Sequence, residues 1–101
     1  MPSRWWRLLR RHALTGVRVV VYTRANCPLC DDAIAFLERE RRKLGFQMQL
    51  IDVDSSDALR AQHGEWVPVV EVEGKVRFRG HINAVLWRRL VTALSQNGLQ
   101  N

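Results

Sequence analysis

Two cysteines, Cys27 and Cys30, are the residues of this chain whose type and spacing point most directly to chemistry. They are its only cysteines, and they form a Cys-Pro-Leu-Cys segment. A β-branched run ending at Thr23 precedes them and a helical pattern follows, so Cys27 falls where a strand gives way to a helix. The first turn of a helix favours negative charge, and the thiolate is the reactive form of cysteine. Pro28 suits the first helical position, because its missing N–H would have had no partner there.

The second cysteine belongs to an apolar stripe with spacings of three, four and seven residues. The members of this stripe are Cys30, Ala33, Ile34, Leu37 and Leu44. We therefore expect Cys30 to face the core, one helical turn from an exposed Cys27. The pair predicts an attacking thiol with a shielded partner, close enough to form a disulfide.

A metal site is the main alternative for a Cys-x-x-Cys pair, but structural zinc needs about four ligands. The chain has no second cysteine pair, and its histidines at positions 12, 63 and 81 show no metal-ligand spacing. A purely structural bridge over so short a loop would restrain little of the unfolded chain. A Cys-x-x-Cys that starts a helix within a strand–helix–strand unit is typical of a thioredoxin-like redox motif. We predict a redox dithiol, with no metal and no bound cofactor.

Length and composition favour one globular domain. The chain has 101 residues, 47% of them hydrophobic, and a formal net charge of +6. No apolar run approaches the roughly 20 residues of a membrane span, and the arginines at 4, 7, 10 and 11 argue against a signal peptide. We expect a monomer in a reducing compartment, the cytoplasm, with no nucleic-acid partner.

The pattern along the chain predicts the element order α-β-α-β-α-β-β-α. Because β-α-β crossovers are almost always right-handed, the first two strands are expected to be parallel. The fold class is α/β, with a four-stranded mixed sheet flanked by helices on both faces and an extra N-terminal helix. Strands are expected at 17–23, 46–53, 68–73 and 75–79, and helices after the first at 30–44, at about 54–63 and at 84–94.

Three parts divide the chain: a basic amphipathic helix at 1–16, the main domain at 17–95 and a polar tail at 96–101. Ser3 can cap the first helix and Gly16 can end it. We expect the apolar face of this helix, with His12 beside the tryptophans, to dock on the domain. The alternative is a basic helix that lies on a membrane surface or on nucleic acid.

Side chains on several elements have expected roles. Asp52, with Asp54 or Ser55, is expected to cap the short helix rather than to form an acid–base pair or a metal site. His63 is expected to complement the dipole in the last turn of that helix. The residues expected to face the core from the last strand and the last helix are Val76, Phe78, Leu86, Leu90, Ala93 and Leu94.

The segment Thr23–Cys30 resembles the active-site segment of glutaredoxins, whose usual motif is Cys-Pro-Tyr-Cys. Val67-Pro68 matches the cis-proline signature of that family, and Gly80 begins the segment where glutaredoxins bind the γ-glutamyl end of glutathione. The resemblance covers about residues 17–95 and implies a thioredoxin/glutaredoxin-like fold. The segments most similar to a small bacterial subfamily of glutaredoxin-like proteins are Cys27–Asp31, Ile51–Asp54, Val67–Val70 and Gly74.

The resemblance implies that Cys27 attacks a disulfide and that Cys30 then displaces the product. It implies that Pro68, if cis, presents no N–H to the thiolate, and that the backbone of Val67 pairs with the substrate. Arg24 stands where many glutaredoxins have a lysine, and could stabilise the thiolate or hold a carboxylate of glutathione; a solvated loop cation is the alternative. The substrate-binding residues implied are Arg24, Pro28, Leu29, Val67, Pro68, Gly80, His81 and Asn83, and the substrates implied are glutathione or protein disulfides.

Departures from the family weaken the case for glutathione. Leu29 replaces the tyrosine, His81 replaces the second glycine after Gly80, and Ile82 and Asn83 replace acidic residues, so the glutathione amino group would lose a carboxylate partner. The two aspartates that follow the second cysteine oppose thiolate formation. We therefore favour dithiol–disulfide exchange over glutathione as the partner. His81 is either a site residue or an exposed loop residue.

Two other functions stay open at the level of sequence. Relatives of glutaredoxin can hold an iron–sulfur cluster between two subunits, through the first cysteine and glutathione, which would make this chain a carrier or partner-binding module. The arginine-rich N-terminal segment could instead make the chain an interaction protein in which the thiols are secondary.

Overall fold

A four-stranded mixed sheet forms the centre of the fold. The computed structural model describes residues 12–100, with side chains described through residue 96. The strands are β1 (Arg18–Thr23), β2 (Gln47–Asp52), β3 (Val69–Val72) and β4 (Lys75–Arg79), in the spatial order β2-β1-β3-β4. β1 pairs parallel with β2 and antiparallel with β3, which pairs antiparallel with β4. The mixed sheet and the parallel first pair confirm the prediction.

Three helices accompany the sheet; two lie between strands and the third follows the last strand. They are α1 (Pro28–Leu44), α2 (Asp57–His63) and α3 (Ala84–Gln100). α1 starts with Pro28 and ends at Gly45, which has a left-handed φ of 79° that glycine adopts without strain.

The cap of the short helix α2 differs from the prediction. Asp52 accepts the N–H of Asp54 at 2.9 Å and caps a separate 3₁₀ turn, Val53–Ser55. Ser56 then caps α2, accepting the N–H of Leu59 at 3.1 Å. The prediction of a cap at Asp54 or Ser55 was wrong because the chain makes two short helical pieces here, each with its own cap.

The main core lies between one face of the sheet and the helices α1 and α3. Paired valines of β1 and β3 share this face, for example Val19 with Val72 and Val21 with Val70, and all four are buried. On the other face, His63 of α2 stacks on Tyr22 with ring centroids 4.0 Å apart. Helices therefore cover both faces of the sheet, as predicted.

The fourth strand contains an irregularity that reverses one predicted side chain. Val70 pairs with Phe78 while Glu71 pairs with Val76, so Arg77 is an extra residue in the ladder. An extra residue shifts the alternation of side chains by one position, which turns Val76 to the face opposite Phe78. Phe78 is buried as predicted, but Val76 is 37% exposed and the prediction for it was wrong.

The last helix buries only part of the face that was predicted. Trp87 and Val91 are buried, with Leu90 and Leu94 packed against them, whereas Leu86 is 51% exposed and Ala93 is exposed. The helix also continues to Gln100 instead of ending at Leu94, so the residues predicted as a polar tail from 96 onward are helical through 100. The indole of Trp87 covers more apolar area than a leucine, and this decides the rotation of the helix.

Residues 12–16 form turns, so the predicted N-terminal helix does not reach Gly16. His12 has a left-handed φ of 61°, which an α-helix excludes. Leu14 is nonetheless buried in the main core, and its N–H donates to the carbonyl of Leu44 at 2.9 Å. The rest of the predicted helix, with the Ser3 cap and the tryptophan face, lies outside the described residues.

Among the described residues, no helix is both long enough and apolar enough to cross a membrane.

Trp87 should be the side chain on which the stability of the core depends most. It is fully buried, packs against Phe36, Phe46 and Phe78, and donates its indole N–H to Glu40 at 2.7 Å. We expect Trp87→Ala to lower the free energy of unfolding by about 3–5 kcal/mol, measured by urea denaturation.

The matched control for that measurement is Leu86→Ala on the exposed face of the same helix, which should change the free energy of unfolding by less than about 0.5 kcal/mol. Equal losses for the two variants would contradict the observed rotation of α3.

Candidate functional site

One end of the sheet collects every segment that the sequence predicted for the site. The register places Thr23 beside Asp52, Tyr22 beside Val69, and Val69 beside Arg79. The segments that follow β1 and β4 and the segment that precedes β3 therefore meet at the same end. Each predicted site residue belongs to one of these three segments.

The two cysteines form a disulfide at the start of α1. Their Cα atoms are 5.2 Å apart. Cys27 is the N-cap of the helix, and its sulfur accepts the backbone N–H of Cys30 at 3.2 Å. Cys27 is half-buried and Cys30 is fully buried. The predicted positions, Cys27 at the helix tip and a shielded Cys30 one turn behind it, are confirmed, although Cys27 is half-buried where the prediction had it exposed.

This geometry supplies an electrostatic reason for the reactivity of Cys27. The sulfur occupies the place where serine or aspartate oxygens usually accept N–H groups of a first helical turn. A hydrogen bond to the charged form of a group stabilises that form, and the dipole of a helix adds to the effect at its N-terminus. After reduction of the disulfide, the same N–H would favour the thiolate of Cys27.

The cis-proline segment lies next to the strand that leads into Cys27. The Val67–Pro68 peptide bond is cis, as the resemblance implied, and Pro68 is fully buried. The carbonyl of Pro68 accepts the N–H of Gly80 at 2.9 Å, which joins this segment to the loop after β4. Val69 pairs with Tyr22. Pro68 is the residue before Val69, and so it lies one residue closer to the end of the sheet that carries the disulfide.

The loop after β4 contains the remaining predicted residues. Gly80 has a φ of 77°, and an added Cβ would meet no atom within 4 Å, so the backbone conformation is what requires glycine here. Asn83 uses its Oδ1 to accept the N–H of Leu86 at 3.0 Å and so caps α3, as predicted. His81 is exposed. A role for these residues in binding substrate stays a prediction.

Arg24 makes more contacts than any role as a solvated loop cation requires. Its Nη2 and Nε donate to the two carboxylate oxygens of Asp54 at 2.8 and 3.1 Å. Its Nη1 donates to the backbone carbonyl of Gly64 at 3.1 Å. Asp54 also accepts from Nε of Arg60 at 3.1 Å.

An exposed tryptophan stands beside the cis-proline, and sequence analysis did not include it in the site. Trp66 ends a 3₁₀ turn, Gly64–Trp66, and is 57% exposed directly before Val67. Leu29, between the two cysteines, is 52% exposed. The sequence carried one signal that Trp66 could belong to the site: it is a large aromatic residue next to the Val-Pro signature, outside any apolar stripe.

The opposite face of the sheet holds a second set of titratable groups. His63 is in the last turn of α2 as predicted, but it is buried against Tyr22. Hydrogen bonding with the Glu71 carboxylate, burial and the charge of that carboxylate raise the pKa of Tyr22 to about 12. The phenol therefore stays neutral throughout the range in which thiols titrate.

Within residues 12–100, no group of three or more histidine, cysteine or acidic side chains is arranged to hold a metal ion. A cluster shared between two subunits, held by the first cysteine of each and glutathione, stays the alternative that the sequence left open.

The ion pair at Asp54 should appear in the acid dependence of stability. Hydrogen bonds from Arg24 and then from Arg60 lower the pKa of Asp54 from 3.8 to about 2. Because the folded protein holds the carboxylate more strongly than the unfolded chain does, this stabilisation is present above about pH 4 and is lost as the pH falls towards 2. Asp54→Asn should therefore lower the urea midpoint at about pH 5 and have much less effect at about pH 2.5.

Leu50→Ala, an exposed substitution that changes no charge, is the control for that comparison. A difference between the wild type and Asp54→Asn that is equal at both pH values would contradict the assignment.

Solved structures place the fold among thioredoxin-like proteins. Protein Ne2328 from Nitrosomonas europaea aligns with a TM-score of 0.64 and 26% identity, over 73% of this chain and 89% of that protein. Target protein XcR50 from X. campestris aligns with a TM-score of 0.61 and 26% identity, over 74% of this chain and 96% of that one. The oxidised thioredoxin from Plasmodium falciparum aligns over 94% of this chain and 93% of its own, with a TM-score of 0.55; at 14% identity this likeness concerns the fold alone.

Sequence comparison leads to a family. The uncharacterized proteins Rv0508 of Mycobacterium tuberculosis and Mb0520 of Mycobacterium bovis are each 36% identical over 63 residues, which is 57% of this chain and 65% of each relative's length. Residues 18–94 match the family described as glutaredoxin-like domain (DUF836). This match spans all four strands and the cysteine pair, so the chain belongs to the glutaredoxin-like domain family.

Proposed function

We propose that this protein is a small thiol–disulfide oxidoreductase that uses Cys27 and Cys30 as its redox dithiol. The observation that carries the proposal is the position of the Cys27 sulfur. It caps α1, accepts the N–H of Cys30 at 3.2 Å, and is bonded to a cysteine that is fully buried. An accessible nucleophile with a shielded resolving thiol is the arrangement that disulfide exchange requires.

The reaction has two exchange steps. The Cys27 thiolate attacks one sulfur of a target disulfide; a Cys27–target disulfide forms, the target S–S bond breaks, and the released thiolate takes up a proton. Cys30 then gives up its proton and attacks the Cys27 sulfur. The Cys27–Cys30 disulfide forms and the second target sulfur leaves as a thiol. Two electrons pass from the dithiol to the target.

A thiol reductant must return the protein to the dithiol state. Two molecules of a monothiol such as glutathione would reduce the Cys27–Cys30 disulfide and become one disulfide themselves. The dithiol of a reductase protein would do the same in one exchange. Either donor fits a reducing compartment, so we propose that the protein works in the cytoplasm; its being a monomer stays a prediction.

Protein disulfides fit the site better than small glutathione disulfides. Leu29 and Trp66 expose apolar side chains in the two segments that border the disulfide. Exposed aromatic and aliphatic side chains bind partners by burying apolar area, and tryptophan is enriched at such positions. Asn83, by contrast, stands where glutaredoxins have an acidic residue that would pair with the amino group of glutathione. Its Oδ1 already accepts an N–H that caps α3.

Single cysteine variants test the proposed roles. Cys27→Ser should abolish reduction of insulin disulfides, because no attacking sulfur remains at the helix tip. Cys30→Ser should accumulate a mixed disulfide between Cys27 and the target, because the resolving sulfur is gone. Mass spectrometry of the non-reduced reaction measures the adduct.

Reduction followed by rapid alkylation of the wild type provides the control, since it shows that both thiols are available before the reaction. Loss of activity in both variants, with no adduct in Cys30→Ser, would refute the division of roles.

Trp66 tests the preference for protein substrates. Trp66→Ala should lower kcat/KM for a peptide disulfide flanked by apolar residues about tenfold more than it lowers kcat/KM for 2-hydroxyethyl disulfide. The peptide can bury area against the indole, whereas the small disulfide has little area to bury.

The control substitution is Leu50→Ala, which removes a 49% exposed apolar side chain from the edge strand β2. It should leave the ratio of the two kcat/KM values unchanged. Equal effects of Trp66→Ala on both substrates would exclude the indole as a contact surface.

A further inference from the structure

Arg24 joins three segments at the end of the sheet that carries the redox pair. It lies in the loop between β1 and Cys27. Its partner Asp54 lies in the 3₁₀ turn that follows β2. Its other partner, Gly64, begins the turn that leads through Trp66 to the cis-proline. One side chain therefore connects the segment that presents the attacking sulfur to the segment that borders it.

The guanidinium nitrogens of Arg24 already donate hydrogen bonds to partners within the protein. Nε and Nη2 together bind both oxygens of Asp54, the paired geometry in which arginine binds a carboxylate most strongly. Nη1 donates to the carbonyl of Gly64. A carboxylate of glutathione would have to displace Asp54 to gain the same paired contact.

Gly64 brings a buried backbone carbonyl to that guanidinium. It is buried, and a Cβ added to it would lie 3.3 Å from Cγ of Arg60 and 3.6 Å from Nη2 of Arg24. A Cβ at 3.6 Å from Nη2 would be in ordinary van der Waals contact, so the contact of Arg24 uses the carbonyl of residue 64 and does not itself require glycine there. Contacts to a backbone carbonyl and to an aspartate in different segments need a rigid fork of donors, which lysine lacks.

Asp54 is held as a carboxylate by two arginines. Arg60 donates from Nε to Oδ1 of Asp54 at 3.1 Å and from Nη2 to its backbone carbonyl at 3.2 Å, and it also contacts Asp57 at 2.7 Å. Asp52 contributes a further negative charge near Arg24. These partners are all parts of the chain itself, so the network is complete without substrate.

We propose that Arg24 is a positioning residue, which fixes the Cys27 loop and the cis-proline segment relative to one another through Asp54 and Gly64, and that it does not bind the substrate. The proposal rests on the proposed exchange function and differs from the role that the glutaredoxin resemblance implied for this position. Reacting groups held by two separate loops depend on such a link, since a misplacement of 1 Å can slow a reaction by about 100-fold.

The substitution Asp54→Asn separates the two roles, because they predict opposite results. If Arg24 positions the loops, Asp54→Asn breaks the same link as Arg24→Ala and slows the reaction. If Arg24 binds substrate anions, Asp54→Asn frees its guanidinium and speeds the reaction with an anionic disulfide. Arg24→Lys should fail in the first case, since it cannot make the forked contact, and should succeed in the second, since it retains the charge.

The experiment measures the rate at which each fully reduced variant forms the Cys27–Cys30 disulfide after mixing with excess disulfide. The two probes are oxidised glutathione, which carries carboxylates, and 2-hydroxyethyl disulfide, which carries none. We expect Arg24→Ala, Arg24→Lys and Asp54→Asn to slow both reactions by a similar factor, roughly tenfold. The double variant Arg24→Ala/Asp54→Asn should be no slower than Arg24→Ala, because both changes remove one link.

Two controls isolate the link. Arg18→Ala removes the same charge from the other end of β1, where Arg18 donates to Gln49 at 3.3 Å. Asp57→Asn removes a partner of Arg60 without touching Arg24. Both controls should react within about twofold of the wild type, well below the roughly tenfold effect expected of the link. Urea denaturation of every variant confirms that each is folded at the temperature of the assay.

Amide hydrogen exchange keeps this inference separate from the proposed function. Arg24→Ala and Asp54→Asn should raise exchange at residues 64–67 and leave exchange in β3 unchanged. A wild type that reacts with neither probe would refute the proposed disulfide-exchange function. The hydrogen-exchange data would still decide whether Arg24 positions the two segments. Faster reaction of Asp54→Asn with oxidised glutathione alone, or unchanged rates and unchanged exchange in all variants, would overturn the positioning role.

Discussion

The structure depends on the way α1 begins. A helix leaves the N–H groups of its first turn without partners inside the helix, and here the sulfur of Cys27 accepts one of them, from Cys30. This contact sets the reactive sulfur at the tip and turns the sulfur of the next turn into the core. It also requires that β1, the strand before Cys27, end at a fixed position relative to the start of α1. β1 therefore has to sit at the centre of the sheet, paired on both sides, as it does.

Packing of the core beneath the site holds β1 and the start of α1 in place. α1 and α3 cover the same face of the sheet, and the indole of Trp87 lies between aromatic rings from α1, the loop before β2, and β4. The indole N–H is satisfied by Glu40, so a large polar-tipped side chain is buried without an unpaired donor. A rigid base of this kind lets short loops hold Cys27, the cis-proline and Arg24, while Cys30 is held within the first turn of α1.

Charge around the site is organised by pairing within the chain. The chain carries a net charge of +6, and a basic protein could be expected to present free arginines to an anionic substrate. At the redox end, however, Arg24 and Arg60 both turn to Asp54. The exposed residues of the segments around the disulfide include the apolar Leu29 and Trp66, together with polar residues such as Asn26 and Asp31. The proposal that the protein acts on protein disulfides rests on these two apolar side chains and on the pairing of Arg24 within the chain.

The sequence by itself determined the four strands, the existence of three helices within residues 12–100 and the position of the cysteine pair. The β-branched run of β1, the spacing of three and four residues in α1, and Pro28 and Gly45 at the helix ends are local signals, and local physics is enough to produce them. Only the tertiary structure decided the rotation of α3, the side to which Val76 turns and the partners of Arg24. Each of these depends on contacts between residues that are far apart in sequence. They are an indole that fits between three aromatic rings, one extra residue in the β3–β4 ladder, and an aspartate thirty positions away from its arginine. Neighbouring residues carry no information about such distant partners, and so these features could not be derived before the fold was known.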